Sequence, residues 1–211
     1  MYRINGISPS GSGERLLLRL VTPEGDTETL AVSCEAYRAL GLSKGEISDE
    51  TYERLAEESG YEEALIKGMR ILGYGANSPR QLKDKLCRAG VSRERAERVC
   101  DELRRRGYLN ESEDANRIAE GLIKKGYGPK RILSSLRAKG YSEDALEAVS
   151  ESFREINFTE NCTRVAKTRL KKLQNDRAEV QKAIAKLVNL GYNVSDAKIA
   201  LAAVLSERKK G

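Results

Sequence analysis

A gapless internal repeat governs what this chain can fold into. Residues 78–103, SPRQLKDKLCRAGVSRERAERVCDEL, align with residues 128–153, GPKRILSSLRAKGYSEDALEAVSESF. Leu82, Leu86, Gly90, Ala96, Val99 and Leu103 thereby fall on Ile132, Leu136, Gly140, Leu146, Val149 and Phe153. A fainter third copy puts Ala183, Leu187, Gly191, Ala197, Ala200 and Val204 at the same offsets. The spacing of four between the first two apolar positions sets both on one helix face. A period of about 50 residues is that of small helical arrays, whose units bury too little alone and share surface with their neighbours.

Each copy reads as three helices. In the first, a helix from about Glu62 to Leu72 precedes the start signal Ser78-Pro79-Arg80-Gln81, which combines an N-cap, Pro at the first helical position and a capping-box Gln. That second helix ends near Gly90, and Ser92 opens a third to Arg106. In the second copy Gly128-Pro129 and Ser142 take the places of Ser78-Pro79 and Ser92. The amino-terminal segment is different. RLLLRLV (15–21) and ETLAVS (28–33) flank the turn Pro23-Glu24-Gly25-Asp26 and predict a hairpin. Ser33 then caps a short helix through Leu40, and Ser48-Asp49 start another through Glu58. The expected architecture is mainly α. Tandem three-helix, helix-turn-helix-like repeats at 61–110, 111–157 and 158–211 form a curved, elongated array, behind a β-hairpin-containing extension at 1–60.

The net charge of +6 is unevenly distributed. Residues 1–60 hold 6 Lys/Arg against 11 Asp/Glu, a balance of −5; residues 61–211 hold 32 against 21, a balance of +11. An acidic head on a basic body is compatible with attraction to a polyanion, and equally with a solvated surface. The four cysteines, Cys34, Cys87, Cys100 and Cys162, form no C-x-x-C pair, and no His exists to complete a zinc site. They read as small apolar side chains in a reducing compartment, with no metal or other cofactor. No apolar run approaches the roughly 20 residues that span a bilayer, so the expected location is cytoplasmic.

Absence of His also removes the commonest general base and triad partner. No G-x-x-x-x-G-K-[ST] or G-x-G-x-x-G pattern is present, and the carboxylates after Asn110 suit a helix first turn. A binding protein is expected, not an enzyme. Its candidate contacts are basic. Arg104, Arg105 and Arg106 fill the last turn of a helix before Gly107, as Lys124 and Lys125 do before Gly126; helix-dipole complementarity alone accounts for that placement. Lys130 and Arg131 instead sit in a first turn, where positive charge is unfavourable and calls for another benefit. In TRVAKTRLKKL, Arg164, Lys167 and Lys171 share a face, with Lys172 in the neighbouring row. Tyrosines follow the junction glycines at 74, 108, 127, 141 and 192, a pattern that predicts hydrophobic closure beyond helix ends over stacking on bases.

These motifs in this order resemble the RecX family of bacterial regulators of the RecA recombinase. The residues that carry the likeness are Ser78, Gln81, Leu82, Lys85 and Leu86; then the junction Gly107-Tyr108-Leu109-Asn110-Glu111; then Gly128, Pro129, Arg131, Ile132, Leu136, Lys139 and Gly140. The likeness is strong over about residues 61–155 and weak beyond, and Asp114 stands where the family places an aromatic. It implies tandem three-helix repeats lying in the groove of a RecA filament on single-stranded DNA. There they inhibit recombinase and coprotease activity, by blocking filament extension or promoting disassembly. The expected partners are the RecA filament and single-stranded DNA, reached through the filament, with direct contact to DNA left open, and with no membrane and no second copy of the chain. The alternative kept open is a direct DNA-binding helical array in which the helix from Ser92 to Arg106 enters a groove.

Overall fold

The computed structural model describes residues 1–11, 13, 15–170 and 176–208. It divides into two compact units: Met1–Gly75 with Leu82–Tyr108, and Ala76–Gln81 with the chain from Leu109 onward. Among the described residues no helix is long and apolar enough to cross a membrane.

The first unit begins with four strands: β1 (Tyr2–Pro9), β2 (Arg15–Val21), β3 (Thr27–Ser33) and β4 (Gly45–Ile47), with α1 (Cys34–Ala39) between the last two. They form an antiparallel sheet in the order β3-β2-β1-β4. The expected hairpin is its β2-β3 pair, closed by Thr22 N–H on Asp26 O at 2.8 Å and by Gly25 at φ 91°. Alternation along β2 puts Leu18 and Leu20 in the core with Ile4, Val32, Leu42 and Leu55. The sheet is larger than the expected hairpin because Tyr2–Pro9 also pairs. A register shift between Ile4 and Gly6 breaks the alternation that would have marked it as a strand.

Ser33 caps α1 as expected, its Oγ accepting from Ala36 N–H at 3.0 Å. Ser48 likewise opens α2, but this helix runs from Asp49 to Gly73 without a stop at Glu58. Ser59 and Gly60, which lie between the helices expected through Glu58 and from Glu62, are interior packing residues. Ser59 Oγ accepts from Ala31 N–H of β3 at 3.0 Å, and a Cβ on Gly60 would lie 2.7 Å from the Arg95 guanidinium. α3 (Pro79–Arg88) and α4 (Arg93–Arg105) follow. α4 approaches α2 so closely that a Cβ on Gly68 would meet Leu103 Cδ1 at 2.8 Å and Val99 Cγ1 at 3.0 Å.

The second unit comprises α5 (Glu111–Lys124), α6 (Pro129–Lys139), α7 (Glu143–Ser152), a 3-10 turn at Phe153–Glu155, α8 (Phe158–Arg169), α9 (Arg177–Asn189) and α10 (Val194–Arg208). Ser78 belongs here, fully buried. It forms the expected capping box with Gln81, and its hydroxyl also donates to Lys139 O at 2.7 Å. Asp114, in place of an aromatic, lies in the acidic first turn of α5 and pairs with Arg117. Among its described residues two cores stand out. Ala115, Ile132, Leu136, Leu146 and Val149 lie in one; Cys162, Ala183, Leu187, Ala197, Ala200 and Val204 lie in the other. Phe153 and Phe158 meet edge to face between them at 5.1 Å.

Every apolar position aligned by the repeat is buried, in all three copies. Gly90, Gly140 and Gly191 all adopt positive φ, and the residue after each, Val91, Tyr141 or Tyr192, is buried and donates its N–H to the carbonyl five residues back. Hydrophobic closure therefore holds for Tyr141 and Tyr192. It fails for Tyr74 and Tyr108, which are 87% and 60% exposed. Tyr74 is the C-cap itself, one residue too early to fold back, and after Gly107 the inward position is taken by Leu109.

Candidate partner-binding site

The stretch KKGYGPKRI, residues 124–132, links α5 to α6 and forms a joint with the corner between α9 and α10. α5 ends at Lys124, Gly126 turns the chain at φ 84°, and Gly128-Pro129 start α6. Facing it is the corner Leu190-Gly191-Tyr192 between α9 and α10. Gly128 N–H donates to Leu190 O at 2.8 Å and Lys130 N–H to Gly191 O at 3.2 Å, so the two corners are hydrogen-bonded backbone to backbone. The buried Tyr192 hydroxyl donates to Gly126 O at 3.2 Å. A Cβ on Gly128 would sit 2.4 Å from the Gly191 carbonyl carbon, and one on Gly191 would sit 2.5 Å from Arg131 N. These glycines allow two backbones to touch; they do not cradle a phosphate.

Arg131 and Arg169 serve the same joint. The Arg131 guanidinium donates to Asn189 O at 3.2 Å and lies 5.1 Å from the centre of the Tyr127 ring. Arg169 donates to Lys125 O at 2.9 Å, satisfying a carbonyl at the end of α5. Of the two cations singled out at the unfavourable end of α6, Arg131 thus has a structural occupation. Lys130 is exposed, and among the described residues it has no ion pair. The same is true of Lys124 and Lys125, so three lysines with free ammonium groups surround the joint.

The other basic candidates are largely compensated. Arg104 pairs with Asp101 at 2.8 Å; Arg105 and Arg106 both hydrogen-bond Glu102, the former at 2.6 Å. Those hydrogen bonds, from Arg105 first and then Arg106, pull the Glu102 carboxyl down to about 2. Further along α4, Arg95 and Arg98 pair with Glu57 of α2. The helix that would enter a groove in the DNA-binding alternative therefore has most of its guanidinium groups on its own unit's carboxylates. Arg164 reaches Asn161 at 2.6 Å, and Lys167 pairs with Glu207 at 2.7 Å. Lys171 and Lys172 lie outside the described residues.

Arg104–Arg106 belong to the first unit and the joint to the second, so the candidates do not converge on one spot within a unit. Arg169 is the joint residue absent from the sequence-derived candidates. Its place in the run TRVAKTRLKKL gave its charge but not the carbonyl it would reach.

No family model matches the chain. Among curated proteins, it is 27% identical over 180 residues to the regulatory protein RecX of Streptococcus gordonii, covering 83% of this chain and 69% of that protein. To the regulatory protein RecX of Caldanaerobacter subterraneus subsp. tengcongensis it is 27% identical over 174 residues, covering 81% and 87%. The chain is similar to RecX regulatory proteins along most of its length. Solved RecX structures have the same fold. A crystal structure of regulatory protein RecX superposes with a TM-score of 0.78 at 20% identity, over 96% of this chain and all of that one. RecX from Lactobacillus salivarius gives 0.62 at 16% identity, over 68% and 96%. The RecX likeness spans the head as well as the repeats, beyond the segment in which the sequence motifs are clear.

Proposed function

We propose that the chain is a non-catalytic, cytoplasmic regulator that binds the RecA filament on single-stranded DNA and inhibits its recombinase, ATPase and coprotease activities. The observation that carries this reading is the near-complete superposition on a RecX structure, together with the similarity to proteins named as RecX regulators. The functional divisions are the extension 1–60 and the repeats 61–110, 111–157 and 158–211, acting in one monomer. Lys124, Lys125 and Lys130 are the leading contact residues, because their charge is not engaged among the described residues; a filament groove presents DNA phosphate and acidic protein surface that attract such groups. Arg104–Arg106 and Arg164–Lys167 are secondary contacts, since their carboxylate or amide partners have to be displaced or shared.

The test is DNA-dependent ATP hydrolysis by RecA with this protein added. Hydrolysis falls, filaments seen by electron microscopy shorten or change, and the effect weakens as salt rises. Reversing Lys124, Lys125 and Lys130 together to Glu removes most of the inhibition while the helical circular dichroism is retained. Arg131 is left out of that variant because its loss would disturb the repeat joint. Unchanged hydrolysis and unchanged filaments with the wild-type chain refute the reading.

A further inference from the structure

The first unit contains a cleft of about 650 Å³ walled by α1, α2 and the last turn of α4. Its apolar lining is Ala36, Ala39, Leu40 and the Tyr61 ring, and its polar lining comprises six glutamates and three arginines. Half of those glutamates are engaged: Glu57 with Arg95 and Arg98, Glu58 with Arg98, Glu102 with Arg105 and Arg106. Glu35, Glu53 and Glu62 have no hydrogen bond or ion pair among the described residues.

Glu62 is the unusual member. It sits mid-helix in α2, lines the cleft, and is only 9% exposed. Burial raises its pKa above the ordinary carboxyl value, and the more distant charges of Arg15 and Arg106 offset this only in part. At that depth the carboxyl keeps little hydration, and among the described residues no donor bonds it, so a group entering the cleft can supply donors in place of water. A metal ion does not suit, since among the described residues no three carboxylates or thiols converge on one point. A positive group on an alkyl stem suits both parts of the lining. Its N–H donors reach Glu62, and its methylenes lie along Leu40, Ala39 and the ring of Tyr61.

We propose that this cleft binds an alkyl-guanidinium or alkyl-ammonium group, with Glu62 accepting its N–H donors and Glu35 and Glu53 supplying the surrounding negative field. The site does not include the leading proposed RecA contacts Lys124, Lys125 and Lys130, although Arg105 and Arg106, proposed as secondary contacts, lie in its lining; Glu62 and its cationic ligand are tested independently of RecA. The ligand group belongs either to a free polyamine or to an Arg or Lys side chain of a bound protein segment.

Nuclear magnetic resonance titration of the full chain distinguishes these sources, using spermidine, an acetylated Ala-Arg-Ala amide, and the same peptide with neutral citrulline in place of Arg. Amide shifts at Ala36, Ala39 and Glu62 with spermidine alone assign a free polyamine, and with the Arg peptide alone or with both probes assign the cationic group more broadly. The citrulline peptide leaves those amides unmoved. Glu62→Gln, which preserves shape, weakens the binding about tenfold or more; the exposed pair Glu35→Gln and Glu53→Gln weakens it several-fold and serves if Glu62→Gln does not fold. The proposal is overturned if neither cationic probe shifts these amides, if citrulline binds as well as Arg, or if removal of the carboxylates leaves the affinity within twofold.

Discussion

Replacing Gly128 by Ala tests whether the second and third repeats are joined by direct backbone contact. The residue has φ −87° and ψ 168°, a conformation open to any L-amino acid, so the substitution introduces no backbone strain. The cost is steric. The new methyl group would lie 2.4 Å from the Gly191 carbonyl carbon, 2.5 Å from Tyr192 N and 2.6 Å from Gly191 O, whereas ordinary contact begins at 3.4 Å. All three neighbours are at or beside rigid backbone, so the corners have to separate by about 1 Å. That displacement lengthens Gly128 N–H on Leu190 O from 2.8 Å to beyond bonding range, and strains Lys130 N–H on Gly191 O and Tyr192 O–H on Gly126 O, both at 3.2 Å. Losing two or three such bonds at about 1 kcal/mol each, with overpacking of about 1 kcal/mol or more, gives a destabilisation of about 3–4 kcal/mol. Urea unfolding followed by circular dichroism measures it. Gly121→Ala is the control, because it lies inside α5 with nothing within 4 Å of the new methyl group; it stabilises by about 0.5–1 kcal/mol. A Gly128→Ala protein within 0.5 kcal/mol of wild type would refute the backbone-contact joint.

The two buried tyrosines at matching repeat positions respond in opposite directions to loss of their hydroxyls. Tyr141 has a buried hydroxyl with no partner among the described residues and a pKa pushed to about 12 chiefly by burial, so Tyr141→Phe is neutral or stabilising by about 1 kcal/mol. Tyr192→Phe loses the bond to Gly126 O and destabilises by about 1 kcal/mol; equal effects of both substitutions in urea melts would contradict the assignment. Acid stability tests the α4 terminus. The Glu102 carboxyl is pulled down to about 2 from an ordinary 4.5, so its stabilising contribution is complete above about 4.5 and is lost as pH falls toward 2. Glu102→Gln flattens the dependence of the urea midpoint on pH in that window, and superimposable acid limbs for the two proteins would remove the Arg105–Glu102–Arg106 cluster as a source.

The repeat was legible because its two signals are local. Apolar residues four apart place themselves on one helix face, and a glycine after a helix reads as a left-handed stop; neither judgement needs a residue beyond the helix in question. The misreadings arise where a distant residue decides. The helix expected to end at Glu58 continues, and Gly60 within it is a close-packing glycine because Arg95, on another helix, occupies the space a methyl group would need. The Asn5-Gly6 irregularity hides β1 until its neighbours β2 and β4 are known. Charge follows the same division. That Arg105 and Arg106 fall three and four residues after Glu102 is a local relation, and spacing alone allowed those pairs. That Lys167 meets Glu207 depends on how α8 and α10 pack within the third repeat, and that Arg131 meets the carbonyl of Asn189 on how the third repeat closes on the second. A basic residue's sign is therefore readable from the chain, while its availability to a partner is a property of the packed repeats. Lys130 and Arg131, indistinguishable as a pair in sequence, separate on that criterion into a residue free to contact a partner and one that holds the joint together.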